Sequence, residues 1–526
     1  MFSSLEYIYY PALVLALYGL AYLARQYYRW RTSPLGKVPG PARRSFLLGY
    51  TPMIYREPFL DPHKRWWQEL CEKNDGASPP FISYSTLFGW YSLWILDPDI
   101  VKLILTEPAS RDPVRFPKNY LFLKQIVGGG LVTLEGSAWS RHRRIIQPSF
   151  HGKLLREALN WSVPKYTQTL ISAWRKAKDC TIDVASHMSA LTLDVIGDVA
   201  FSHNFGATKE LDGWAERADE QNELEVVSDP LIQAFNESLK LTVLGIVLMT
   251  LNYARLGKYL GRNVSRTSTL LNEAVDSVIR NARTKEVNDN GDARKKSLLH
   301  LLFEATDSES GHGQQTLSNT ELRDEVKTFI VAGHETTSTW CYWAMYALAK
   351  FPDVQQKLHE EVSKYAPDSS SPITLEKVDE MDYLSAFLSE VLRLYSPVGM
   401  IFRFTSRQEN WKGYTIPAKT MLVIPIHLLH RHSDHWTNPD DFCPERWLNK
   451  DDCASRHPFC YLPFSGGGRN CVGQRFAEIE VKLIVANIVR AFTVRLSPCM
   501  RDKEITFTCF LTMKSKPRVV ICVQQR

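Results

Sequence analysis

No two of the ten cysteines stand at C-x-x-C spacing, and the nearest pair is Cys453 and Cys460. A disulfide scaffold and a structural zinc site are therefore poorly supported, and a reducing compartment fits better. Strong charge is also missing: 63 basic against 57 acidic residues leave +6 over 526 residues. So small an excess can help the chain approach an anionic membrane or an acidic partner, and it argues for no nucleic acid. The chain lacks internal repeats. With apolar residues at 44% and aromatic residues at 11%, it lies outside the disordered and collagen-like classes. A chain this long buries about 75% of its surface, enough for a core that encloses a cofactor.

Charge is absent altogether from Tyr7 to Ala24, YIYYPALVLALYGLAYLA. Eighteen residues make a helix of about 27 Å, close to the hydrocarbon thickness of an endoplasmic-reticulum bilayer. Tyrosines cluster at one end, and Tyr27, Tyr28 and Trp30 follow the other, as interfacial aromatics do. A cleaved signal peptide fits less well, because no basic region precedes the stretch and no A-x-A site ends it. Arg25, Arg29 and Arg31 follow the span and no Lys or Arg precedes it, so the body of the chain is expected in the cytosol. The sequons at Asn160, Asn236 and Asn263 should then carry no glycan. Leu239–Leu251, which holds Lys240, is too short for a second span. The expected organisation is a membrane anchor at 1–30, a proline-rich hinge at 31–44 stiffened by Pro39, Gly40 and Pro41, and one domain from 45 to 526.

Residues from about 45 to 110 mix short apolar runs such as FISYST and YSLWIL with turn residues, and read as a small sheet. From Trp139 to about Lys350 the pattern is mostly helical, with polar surface loop around one amphipathic segment in 284–313. Mixed loops follow from about 403, then one long helix after Cys471 and short terminal strands. The fold class is mostly α with a minor β region. Ser318 and Glu321 form a capping box that opens a helix running to Phe351 against Pro352. Some 33 residues make a rod of about 50 Å, which must cross the core. At its midpoint stand Ala332, Gly333, His334, Glu335, Thr336 and Thr337. Gly costs about 1 kcal/mol in a helix interior, and Thr can bond back to the preceding turn. The pattern predicts local widening there, with polar groups either satisfied by neighbours or facing something other than packing.

F-S-G-G-G-R-N-C-V-G-Q-R-F-A occupies Phe464 to Ala477. Cys471 is expected to open a helix whose free amides and dipole stabilise a thiolate. Glycines 466–468 and 473 let backbone approach a flat object. A thiolate with no second protein ligand nearby suits haem iron, whose equatorial sites the porphyrin fills. A phosphate loop fails for want of G-K-[S/T]. A cysteine nucleophile remains open, although no base is assigned to it.

Phe464, Gly467, Arg469, Cys471 and Gly473 match F-x-x-G-x-R-x-C-x-G, and the chain thereby resembles the cytochrome P-450 family. Four further motifs follow that resemblance: Trp139 and Arg143 as W-x-x-x-R, Ala332–Thr337 as A-G-x-[D/E]-T-[T/S], Glu390 and Arg393 as E-x-x-R, and F-C-P-E-R-W at Phe442–Trp447. Trp447 replaces the usual Phe. The anchor and hinge are similar to those of microsomal members, loosely of the fatty-acid omega-hydroxylase branch. Some of that branch carry a haem-linking Glu where Ala332 stands, so covalent attachment by that route is not expected.

The resemblance implies haem b with Cys471 as axial ligand to the iron, and Trp139, Arg143, Arg469 and Arg403 around the propionates. It implies a structural network of Glu390, Arg393 and Arg446. Thr336 would be the hydroxyl beside bound dioxygen, with Glu335 its acidic neighbour in proton delivery. In the run Arg141, His142, Arg143 and Arg144, one arginine should point to haem and the others face an acidic reductase. Leu121, Phe122, Phe329, Ala332, Val398, Gly399 and Met400 are candidate pocket residues by position. His427, His430, His432 and His435 are read as satisfied or exposed histidines, not metal ligands.

The implied activity is hydroxylation or epoxidation of a lipophilic molecule: a fatty acid, sterol, terpenoid or other secondary metabolite. The chain would use O2 and electrons from an NADPH-cytochrome reductase, with cytochrome b5 as a further donor, at the endoplasmic reticulum membrane. Two alternatives are a peroxide isomerase or dehydratase that needs no reductase, and a non-catalytic haem-binding protein. The intact Glu335–Thr336 pair argues against both.

Overall fold

The computed structural model describes residues 6–106, 127–150, 152–177, 181–217, 271–284, 298–307, 317–368, 371–509 and 511–526, with Lys124 and Thr269. Leu121, Phe122, Leu239–Leu251, Asn236 and Asn263 lie outside these. The principal helices are α1 (Glu6–Thr32), α2 (Asp61–Glu72), α3 (Gly136–Ile146), α4 (Lys153–Lys176), α5 (Val184–Phe201), α6 (Asn319–Lys350), α7 (Pro352–Tyr365), α8 (Asp382–Leu394) and α9 (Gln474–Ala491). Helices dominate, as the sequence predicts. The chain divides into two compact units, Met1–Pro117 with Met400–Leu429, and Lys118–Gly399 with His430–Arg526.

The first unit is built on a four-stranded sheet in the order Phe81–Ser85, Tyr91–Ile95, Met421–Ile424, Ile401–Phe404. Its only parallel pairing sets Leu93 against Leu422, which a direct hairpin cannot make. Strand Phe81–Ser85 is buried along its whole length, so it shows a continuous run in place of strict alternation. Tyr50, Trp66, Tyr84 and Trp94 form an aromatic core around His63, whose ring stacks on Trp94 at 3.7 Å. Burial lowers the His63 pKa to about 3, so it packs there as a neutral ring.

The end of α1 differs from its expected interfacial place. Trp30 is buried, and its indole N–H donates to Ser85 Oγ at 3.2 Å. Gly89, at φ +69°, makes the seat, since a Cβ there would lie 2.6 Å from the Trp30 side chain. The sequence shows an aromatic next to an uncharged apolar run but not the glycine that receives it. The hinge residues lie along the sheet: Ser83 N–H donates to Pro39 O at 2.8 Å, and a side chain on Gly40 would strike Ser83 O.

The second unit is organised around α6. Its 32 residues begin at the expected capping box of Ser318 and Glu321 and end before Pro352. α6 packs against α5, and α9 against α4. α5 is long and apolar enough to cross a membrane, but 78% of it is buried, so it is a core helix. The short amphipathic segment expected in 284–313 is a helix at Leu298–Asp307. Strands Phe492–Leu496, Val520–Gln525 and Ile182–Asp183 form one small sheet, and Thr506–Cys509 pairs with Met513–Lys516 as a hairpin.

No widening interrupts α6 at Gly333, where the helix is continuous. A Cβ on Gly333 would lie 3.0 Å from Ile196 Cδ1 of α5. The glycine therefore serves helix–helix approach, and the polar residues beside it turn to separate partners. Gly333→Val should overpack this contact and cost about 1–3 kcal/mol. Denaturant midpoints would show it, and Ile196→Ala in the same chain should recover part of the loss.

Candidate active site

The cysteine loop is shaped by backbone that few residues accept. Ser465 has φ +60° and Gly467 φ +70°, and Gly467–Arg469 closes as a single 3-10 turn. Cys471 N–H donates to Phe464 O at 2.9 Å, which folds the segment back on itself. Contrary to the expected helix start at Cys471, α9 begins at Gln474 with Gly473 as its cap. The thiol thus sits in the turn ahead of the helix, with the Gly473 amide directed to it. It is reachable from solvent. Burial pushes the thiol pKa up, while the Gly473 amide and the Arg143 guanidinium pull it down.

Three of the expected cofactor residues meet around this loop. Arg143 of α3 donates to Asn470 O at 2.9 Å and to Asn470 Oδ1 at 2.7 Å. The Arg469 guanidinium lies 4.4 Å from the centre of the Trp139 ring and donates to Leu134 O at 2.9 Å. Two fixed guanidiniums, an indole edge, a glycine backbone and one reachable sulfur form a donor set that fits haem. The sulfur would serve the metal and the cations the two carboxylates. Among the described residues no group of three His, Cys, Asp or Glu side chains converges as a metal cage. Arg403 belongs to the other unit, in the strand opposite Leu422, where it donates to Phe402 O at 2.8 Å.

The rest of the basic run is not a surface patch. Arg141 pairs with Glu321, and His142 is buried against Glu325 Oε1 at 2.6 Å. Burial disfavours charge on His142, but the Glu325 carboxylate holds its pKa above the ordinary value. Glu325 also accepts from Leu131 N–H at 3.1 Å. Only Arg144 of the four is exposed. The acids that claim Arg141 and His142 lie some 180 positions away, beyond the reach of a local reading.

At the middle of α6, Thr336 Oγ1 donates to Ala332 O at 2.7 Å. Glu335 Oε1 turns instead to Thr512 Oγ1 at 2.7 Å and Lys514 Nζ at 2.9 Å. Burial would raise the Glu335 pKa, but the Lys514 ammonium and the Thr512 hydroxyl bring it below the usual value. His334 meets Ser189 Oγ at 2.6 Å. Phe329, expected in the pocket, packs edge-on against Phe150.

Glu390 and Arg393 are wholly buried and joined by two bonds of 2.8 Å. Arg446 Nε reaches Glu390 Oε1 at 3.0 Å, and the Cys443 amide reaches it at 2.8 Å. Trp447, the departure from Phe, donates its indole N–H to Glu390 Oε2 at 2.9 Å. Arg393 spends its remaining donors on the carbonyls of His430, Pro439 and Asp441. Of the two expectations for His430, satisfied or exposed, the structure shows the first. Its Nε2 accepts from Leu462 N–H at 2.8 Å, leaving Nδ1–H for Arg393 O at 3.1 Å. It thereby ties α8 to the segment that leads into the cysteine loop.

The family model of cytochrome P450 matches residues 84–522. The chain belongs to the cytochrome P450 family. It is similar to cytochrome P450 4A7 of Oryctolagus cuniculus, at 32% identity over 94% of this chain and 91% of the relative. A Taurochenodeoxycholic 6 alpha-hydroxylase of Sus scrofa is 31% identical over 77% of each chain. Among solved structures, the cytochrome P450DA heme domain has a TM-score of 0.74 at 25% identity, covering 93% of this chain and 98% of that one. The P450 fold and its cofactor, haem b with an axial cysteine thiolate on iron, follow from membership.

Removing one partner of the buried network should leave an uncompensated charge. Glu390→Gln is expected to cost about 3–5 kcal/mol. Trp447→Phe, which deletes a single donor to a carboxylate, should cost about 1.5–3 kcal/mol. Denaturant midpoints of the purified proteins check the order, and equal losses would contradict it.

Proposed function

We propose that this P450 is a membrane-anchored monooxygenase that hydroxylates or epoxidises a lipophilic molecule, with Cys471 as the axial ligand of haem b. The observation that carries this reading is the reachable Cys471 sulfur, flanked by Arg143, Arg469 and Trp139. Haem bound there supplies the activation of O2 and the transfer of one oxygen atom to substrate. The protein's own residues do the rest. Arg143 fixes the loop through Asn470, and Arg469 with Trp139 offers a cationic, flat-sided flank for the propionates. Thr336 presents a hydroxyl at the middle of α6, and Glu335 is its acidic neighbour in proton delivery. The presence of both supports a monooxygenase over a peroxide isomerase.

A fatty acid, sterol or terpenoid suits the reading, and a relative named for hydroxylating a taurochenodeoxycholic substrate supports a lipophilic one. Electrons would come from an NADPH-cytochrome reductase, with cytochrome b5 as a second donor. Exposed Arg144 and Arg475, beside the cysteine loop in sequence or through α3, offer cations to such a partner. Membrane anchoring rests on α1, whose Leu13, Val14, Leu17, Tyr18 and Leu20 are exposed. The positive-inside arrangement supports a catalytic body on the cytosolic side of that membrane, which we assign to the endoplasmic reticulum.

Two experiments test the reading. The reduced, carbon monoxide-bound protein should show the red-shifted band of thiolate ligation, lost in Cys471→Ala and kept in Thr336→Ala. Thr336→Ala should yield less product and more hydrogen peroxide per NADPH; an unchanged ratio at saturating substrate rejects Thr336 as a proton-delivery residue. Separately, deletion of residues 1–30 should release most of the protein from carbonate-washed membranes. Full retention of the truncated chain would sink the single-anchor proposal.

A further inference from the structure

The two arginines that flank the cysteine loop stand on separate pieces of chain, and something must set their places relative to each other. Arg469 donates to Leu134 O at 2.9 Å, and Leu134 closes the loop that runs into α3 at its cap, Glu135. The stretch from Leu131 to Arg143 thus carries the acceptor for one cation, the Trp139 ring beside it, and the other cation. Both ends of that stretch reach one carboxylate. Glu325 Oε2 accepts from Leu131 N–H at 3.1 Å, and Oε1 meets His142 Nδ1 at 2.6 Å. We propose that Glu325 is the positioning residue of the propionate site: one buried acid on α6 clamps the loop to α3 and so sets where Arg143 and Arg469 stand. The inference rests on the reading of these two arginines as propionate partners and names the residue that aligns them.

The clamp stands on a fixed base. Glu325 and His142 are buried together, so water does not compete for their contact. The residues of α6 around Glu325 are pinned in turn: Arg323 to Asp276 at 2.6 Å and Lys327 to Asn272 at 2.9 Å. The loop is shaped to lie against this stretch of helix. Gly129 N–H donates to Asp324 Oδ2 at 2.7 Å. A Cβ on Gly128 would lie 2.1 Å from Asp324 Oδ1, and one on Gly130 would lie 2.1 Å from Thr328 Oγ1. Only glycine lets the backbone approach so closely, and the Leu131 amide comes within reach of Glu325 as a result.

The second arm fixes the roll of α3. Trp139 and Arg143 are one turn apart and share a face, while His142 points about 100° away from Arg143 around the axis. Its ring is held by Glu325 at 2.6 Å and by Glu321 at 3.2 Å. With that side of α3 tied to α6, the face with Trp139 and Arg143 stays turned to the cysteine loop. The contact needs the right shape more than it needs charge. A glutamine at 325 would accept from Leu131 N–H with its oxygen and donate to Nδ1 of a neutral His142, whose Nε2–H then serves Glu321. An alanine would release both arms.

The test uses the full-length, haem-loaded protein as wild type, Glu325→Ala, Glu325→Gln, Arg323→Met, and Arg143→Met with Arg469→Met. Resonance Raman spectra read the propionate-bending bands, and transfer of haem to excess apomyoglobin reads its retention. Glu325→Ala should shift the bands toward weaker hydrogen bonding and speed haem transfer about 10–100-fold, the scale of losing a group that orients a metal site. Glu325→Gln should return both close to wild type. Arg323→Met, which breaks a different ion pair on the same helix, should leave the bands in place. If Glu325→Ala moves them no further than Arg323→Met does, the effect is general loosening and the clamp is overturned. In the double arginine variant Glu325→Ala should add no further shift, and a full additional shift overturns the clamp as well. Where Glu325→Ala loads no haem, Glu325→Asp, shorter by one methylene, carries the same test at smaller amplitude. The arginine variants judge the underlying reading separately. Bands unmoved by them reject the propionate site and the clamp with it; bands moved by them but not by Glu325→Ala reject the clamp alone.

Discussion

A carboxylate taken wholly out of water must find every donor it needs within the protein, and Glu390 imposes that condition on this fold. Its two oxygens collect Arg393, Arg446, the Cys443 amide and the Trp447 indole. Arg393 belongs to the same helix as Glu390, and the other three donors tie the segment Cys443–Trp447 to it. Arg393 then spends its remaining N–H groups on three carbonyls, and His430 carries the connection on to Leu462, two residues before the cysteine loop begins. As an isolated ion pair, Glu390 and Arg393 are replaceable by apolar packing at little net cost. What such packing cannot supply is the direction in which each of these segments must run.

The same constraint is met differently along α6. A core helix carrying Glu, His and Thr in succession could have opened its own backbone to satisfy them. Instead each side chain reaches a separate neighbour: Thr336 its own preceding turn, His334 the hydroxyl on α5, Glu335 the terminal hairpin. Gly333 brings α5 close enough for His334 to reach across. The helix therefore stays regular while presenting three kinds of polar environment within one turn.

How much of this was legible depended on distance along the chain. The capping box, the Pro352 stop, the buried Glu390–Arg393 pair and the meeting of Trp139, Arg143 and Arg469 are each carried by local spacing or by a motif. What escaped reading was decided by partners far away in sequence. Arg141 and His142 resemble surface charge until Glu321 and Glu325 are brought beside them. Trp447 looks like a conservative aromatic change, and only Glu390 shows that its N–H is used. Gly333 suggests a loosened helix, because sequence contains no trace of Ile196 across the contact. The start of α9 was misplaced for a nearer reason: Gly473 caps the helix as readily as Cys471 would begin it.

The seating of Trp30 against Ser85 and Gly89 has a mechanical consequence. A helix joined to a body by a slack linker leaves that body free to tumble, but here the last turn of α1 is keyed into the sheet it precedes. Pro39 and Gly40 then lie against Ser83, so little rotatable chain separates helix from strand. The last turn of α1 and the hinge behind it thus hold to one sheet at two separate points, so a movement of the helix end is resisted by the sheet and not absorbed by a loose tether.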